Sequence, residues 1–181
     1  MPYIDVIHEG DAEGELAEMY AKFAEPDGSV DDVLKVHSLN PSSLRAHLAL
    51  YVQALRERSP LSFAERELIG VVASVEAGCA YCLAHHKQNL RERLPDDRRA
   101  VAQEVADGDW SNLTEREAAM AAFGKKLAGE PGAMGPGDAE GLREAGLTDR
   151  EILDVVQTVG YFAYGNRVAL GLGAQIEPWK D

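Results

Sequence analysis

Only two of the 181 residues are cysteine, Cys79 and Cys82, which excludes the multi-disulfide frameworks that staple small secreted folds. Basic residues are also scarce: 18 Lys and Arg against 31 Asp and Glu leave a formal charge of −13. No basic run interleaved with aromatics occurs, so a nucleic-acid phosphate backbone would be repelled. No apolar run approaches the roughly 18 to 20 residues of a membrane span, and MPYIDVIHEGD lacks the basic and apolar regions of a secretory signal. Nor does any segment alternate apolar and polar residues as a half-buried strand does. The absences together predict a soluble, cytoplasmic, helical protein without nucleic-acid or membrane partners.

What is present is helical periodicity. Leu16, Met19, Tyr20 and Phe23 share one face, as do Leu44, Leu48, Tyr51, Val52 and Leu55, and such stripes are most simply core. Ser62 with Glu65, Thr114 with Glu117 and Thr148 with Glu151 have capping-box spacing, while Pro41 and Pro95 suit first helical turns. The reading is an all-α, multi-helix single domain over residues 1–181, with roughly eight to ten helices. GEPGAMGPG at 129–137 is the long loop, and IEPWKD closes the chain as an irregular tail. ERELIGVVASVEAGCAYC from Glu65 also matches DREILDVVQTVGYFAYGN from Asp149, with Val71 on Val155, Cys79 on Ala163 and Cys82 on Asn166. Two related helical halves follow, about 40–94 carrying the cysteines and about 112–173 degenerate, equivalent as helix pairs.

The chemistry is concentrated in VVASVEAGCAYCLAHHKQNL, residues 71–90. Gly78 predicts the end of one helix near Val75 to Ala77 and the start of another at the first cysteine. Both thiols then lie in a first helical turn, where unpaired N–H groups and the helix dipole favour a thiolate. Residues three apart on a helix are about 5 to 6 Å apart, close enough for a disulfide. His86 follows Cys82 by one turn on the same face and is a candidate proton acceptor. His85 points about 100° away, which favours a satisfied or solvated role over the alternative, a place with Tyr81 in the shell around the thiols. Glu67 reaches this region only if the chain turns at Gly78, since a straight helix would hold it roughly 22 Å from Cys82. On spacing alone three readings stay open: thiol redox chemistry, a zinc site using Cys79, Cys82 and His86, and inert buried thiols.

Glu67, the twelve-residue step to Cys79, and CAYCLAHH together resemble the alkylhydroperoxidase D and carboxymuconolactone decarboxylase superfamily, specifically its peroxidase-related branch. The likeness extends through ERELIGVVAS and YFAYGNRVALGLG and covers most of residues 40 to 175. It implies that Cys82 attacks a peroxide, that Cys79 resolves the product, and that Glu67 and His86 relay protons. It also implies trimers or hexamers; no cofactor is expected, and no stoichiometric metal, since a thiolate activated by a helix start needs none. The founding enzyme carries a relay histidine between its cysteines, where this chain has Tyr81, whose pKa near 10 prevents the same shuttling at neutral pH. The function expected is thiol-dependent reduction of a hydroperoxide, with an external lipoyl- or thioredoxin-type dithiol as reductant. The alternatives are a redox sensor using the same disulfide and a non-peroxidase member of the superfamily.

Overall fold

The computed structural model describes residues 1–177, so most of the tail expected at 176–181 lies outside the described residues. Nine α-helices and no strand occur among the described residues: α1 (Gly14–Phe23), α2 (Asp32–Lys35), α3 (Pro41–Tyr51), α4 (Phe63–Glu76), α5 (Ala80–Arg93), α6 (Val101–Ala106), α7 (Glu115–Gly129), α8 (Pro136–Glu144) and α9 (Asp149–Leu172). None is long and apolar enough to cross a membrane.

The three capping boxes form at α4, α7 and α9, each with hydroxyl and carboxylate satisfying the other's backbone N–H. Two of them are tied together. Arg116 donates to Glu65 and to Glu151, both at 2.7 Å, so the starts of α4 and α9 are clamped to α7. Pro41 opens α3 as expected, whereas Pro95 precedes a single 3₁₀ turn, Asp96–Arg98. The loop expected over 129–137 is shorter, because Gly129 still ends α7 and Pro136 already begins α8, with a 3₁₀ turn at Pro131–Ala133 between them.

α4 is the central element. Every residue from Arg66 to Ser74 is buried, the signature of a helix packed on all sides, and its neighbours are α5, α6, α7 and α9. Leu68, Val71 and Val72 meet Leu90 of α5 and Val101 and Val105 of α6, while Ile69 faces Met120, Val155 and Val159 of α7 and α9. α9 can lie this close because Gly70 presents no side chain; a Cβ there would overlap the Phe162 ring. The N-terminal stripe forms a separate cluster in which Leu16 and Tyr20 pack with Leu34, Leu44 and Leu48.

The repeat requires a correction. α4 and α5 are two helices joined by a turn, but α9 runs unbroken for 24 residues through the positions matching the cysteines. Where the first copy has Gly78 at φ +66° the second has Phe162, a residue that stays in the right-handed region, so no turn forms. The second copy is therefore one long helix, and the equivalence as helix pairs does not hold.

Candidate active site

The corner between α4 and α5 is built from backbone hydrogen bonds. Gly78 N–H donates to Val75 O and Cys79 N–H to Ser74 O, each at 3.0 Å, the Schellman pattern that a left-handed glycine permits. Cys79 then serves as the N-cap of α5, its sulfur accepting the Cys82 N–H at 3.3 Å. The first cysteine thus sits one position before the helix and the second inside its first turn. Both are buried, at 1% and 7% exposure, and their sulfurs are 2.6 Å apart, with both thiols free. A disulfide therefore needs little backbone movement.

This geometry makes the thiols unequal. The two sulfurs share a hydrogen bond; once Cys79 is ionised the Cys82 S–H donates to it, and this bond, aided by backbone N–H groups of Cys82 and Tyr81 and opposed by burial, lowers Cys79 to about 7. The same bond, together with burial and the adjacent negative charge, pushes Cys82 upward. The pair shares one proton, losing the first easily and the second with difficulty.

The turn at Gly78 also folds α5 back along α4. Glu67, 3% exposed, comes to lie against the histidine nineteen positions away: its Oε2 is 2.7 Å from His86 Nδ1, and Asn89 Nδ2 approaches Oε1 at 3.5 Å. The His86 ring stands edge-on to Phe162 of α9, 4.5 Å between centroids, which holds it upright. Cys82 and His86 both line a cavity of about 360 Å³, and Cys79 does not. The other walls come from α3 and α9, including His47, Tyr51, Tyr161 and Phe162, with Arg56 from the π-helical turn Val52–Arg56. His47 is buried among aromatic rings and is lowered to about 4 by desolvation and by the neighbouring His37, so it is neutral at pH 7.

His85 is not solvated. It is 7% exposed, and its Nε2–H bonds Glu177 Oε2 at 2.7 Å while Nδ1 lies 3.8 Å from Asp31. Burial opposes the Glu177 charge, but His85 and the Asp32 N–H outweigh it and hold that carboxyl at about 2. Tyr81 donates to Glu177 Oε1 at 3.1 Å and accepts the Val33 N–H. Desolvation raises Tyr81 well above the ordinary phenol range, so it acts as a strut between α5, α2 and the chain after α9. Asp31, His85 and Glu177 also have donor atoms within 4.8 Å of one another, close enough to hold a metal ion. Sequence spacing gives no signal for Asp31 or Glu177, which lie 54 positions before and 92 after His85, nor for Arg56.

The corner, the buried Glu67–His86 pair and the cavity lined by Cys82 and His86 lie in a helical fold of the alkylhydroperoxidase D type. The carboxymuconolactone decarboxylase family model matches residues 41–125, which supports the resemblance to the alkylhydroperoxidase D and carboxymuconolactone decarboxylase superfamily and its peroxidase-related branch. An uncharacterized peroxidase-related protein from Ralstonia eutropha, described as an alkylhydroperoxidase AhpD core, superposes with a TM-score of 0.89 at 24% identity, covering 99% of this chain and 94% of its own. A peroxidase-related protein from a Silicibacter species gives 0.87 at 27% identity, covering 99% and 93%. The debrominase Bmp8 shares the fold at 17% identity, with a TM-score of 0.80 and coverage of 98% and 94%. No curated protein matches the chain in sequence.

Proposed function

We propose that the chain is a thiol-dependent peroxidase that reduces hydroperoxides through the Cys79–Cys82 pair, as the resemblance of its motif implies. The observation that carries this reading is that Cys82 and His86 open on one cavity while the Glu67 carboxyl sits 2.7 Å behind the imidazole. With Glu67 as carboxylate, His86 Nδ1 carries a proton and Nε2 keeps a lone pair for the cavity.

In the first step His86 takes the Cys82 proton and the sulfur attacks the distal peroxide oxygen. The O–O bond breaks, and the departing alkoxide takes the proton from His86 to leave as alcohol. Cys82 is left as a sulfenic acid, oxidised by two electrons. The Cys79 thiolate, already in contact, attacks the Cys82 sulfur. A disulfide forms, and the hydroxide released is protonated to water. An external dithiol then opens the disulfide by exchange, becoming a disulfide itself and returning the pair to its reduced state. A reducing, cytoplasmic setting and a homo-oligomer, trimer or hexamer, belong to the same reading. Exposed Leu153, Val156 and Leu170 along α9 support an assembly face, and light scattering at micromolar concentration tests it.

The deciding assay follows hydrogen peroxide, cumene hydroperoxide and a lipid hydroperoxide with lipoyl-type and thioredoxin-type donors. Repeated turnover with at least one pair is expected. A single oxidation per chain with every donor would reject the peroxidase reading in favour of a redox sensor.

A further inference from the structure

The wall of the cavity at the end of α3 carries a device that the peroxide chemistry does not use. α3 does not end at Tyr51 but widens into five residues of π-helix, and Glu57 N–H closes an i to i+5 bond on Val52 O at 2.8 Å. Widening the turn brings side chains five apart onto one side, which regular α-helix does not do. Tyr51 and Arg56 are such a pair. The guanidinium carbon lies 5.3 Å from the Tyr51 ring centroid, and Nε and Nη2 both donate to the Tyr51 hydroxyl oxygen. From α4, Arg66 donates to Glu57 O at 3.0 Å and to Ala54 O at 3.5 Å, which fixes the carbonyl end of the widened turn.

Three features make this pair a receptor. Among the described residues, Arg56 is the only Lys or Arg lining the cavity and pairs with no carboxylate, its side-chain bonds going to Tyr51, although the chain carries 31 acids. Its Nη1 has no protein acceptor there, and neither does the hydrogen of the Tyr51 hydroxyl. Burial raises Tyr51 against the pull of Arg56, so it remains a phenol able to donate. A fork of guanidinium N–H groups beside a phenolic O–H matches the two oxygens of a carboxylate. Glu25 and Asp31 face the same cavity and oppose a second negative charge. Phe23, Val33, Leu34 and Leu48 line it with apolar surface.

We propose that Tyr51 and Arg56 form a carboxylate-binding site, and that the preferred substrates are organic hydroperoxides with an apolar body and a single carboxylate. The substrate assignment rests on the peroxidase reading; the binding site does not. The probe is cumene hydroperoxide bearing a para-carboxylate, compared with its methyl ester, while the corresponding unreactive alcohols measure binding to the reduced protein by calorimetry. A charge-assisted hydrogen bond supports a preference of about tenfold or more for the acid, in kcat/KM and in Kd. That preference is expected to reside in KM. Arg56→Gln should bring the acid-to-ester ratio to within about twofold of one, and Arg56→Lys, which keeps charge but loses the fork, should retain part of it. Acid and ester alcohols binding equally, or Arg56→Gln weakening both alike, overturns the site. If neither peroxide oxidises the thiols while the acid alcohol still binds through Arg56, the carboxylate site stands and the peroxidase reading fails.

Discussion

Replacing Cys79 by serine is expected to leave the first oxidation intact and abolish turnover, whereas replacing Cys82 should abolish both. Two effects oppose each other in this prediction. The hydrogen bond from Cys82 lowers Cys79 to about 7, so at neutral pH it is roughly half ionised, against ~3% for an ordinary thiol at 8.5, a gain of about fifteenfold in nucleophile. Cys82 is raised by the same contact, but it alone of the two lines the cavity with His86, and a positioned base is worth on the order of 10² to 10⁴ in rate. Access and base outweigh ionisation. In Cys79→Ser the neighbouring negative charge is also gone, so Cys82 ionises more readily than in the wild type. The assay is rapid mixing with one equivalent of peroxide, trapping of sulfenic acid with a dimedone-type reagent, and mass spectrometry of the 71–90 region. Stoichiometric, trappable sulfenic acid at Cys82 in Cys79→Ser, without disulfide, is the expected result. A fast sulfenic acid at Cys79 in Cys82→Ser, with Cys79→Ser inert, would refute the reasoning and reverse the two roles.

Glu67→Gln keeps the shape of the buried side chain but not its charge, and should lower the rate of Cys82 oxidation by roughly 10² with little change in far-ultraviolet circular dichroism; an unchanged rate would remove Glu67 from the relay. Cys82→Ala deletes the donor that most lowers Cys79, so thiolate absorbance at 240 nm should titrate well above the wild-type midpoint of about 7. A midpoint that stays put would credit the helix start instead. Glu177 is held at about 2 in the folded protein against an ordinary value near 4.3. Its contribution to stability is therefore fully present above the unfolded value and is lost as pH falls toward 2. Urea midpoints should drop between pH 5 and pH 3 in the wild type and drop less in Glu177→Gln; parallel losses would mean that His85 and Glu177 are not coupled.

Much of this architecture is legible locally. A capping box is a contact between residues three apart, so Ser62, Thr114 and Thr148 mark their helices without help from the rest of the chain. The break at Gly78 is equally local, because the left-handed conformation that ends α4 is costly for any residue with a Cβ. Once that break is known, an α5 doubling back along α4 brings Glu67 toward His86. The failures have the opposite character. The apolar pattern of the degenerate half repeats that of a helix pair, yet periodicity carries no information about a turn that depends on one residue, Phe162 in place of glycine. For His85 the helical angle reports only the face the side chain occupies, not the Glu177 and Asp31 that other segments bring to that face.

The all-helical class, the starts of α4, α7 and α9, and the corner that brings two cysteines to one helix start are written in the chain locally, since each depends on residues no more than a few positions apart. Packing of distant segments settles which thiol meets the cavity, that Glu177 and Asp31 close over His85, and that Tyr51 and Arg56 line the same cavity as Cys82. Those outcomes require segments up to 145 positions apart, as in the bond from Asp32 N–H to Glu177, to be juxtaposed by packing around α4. Such contacts follow from the burial of a whole core and have no signature in any short stretch of chain.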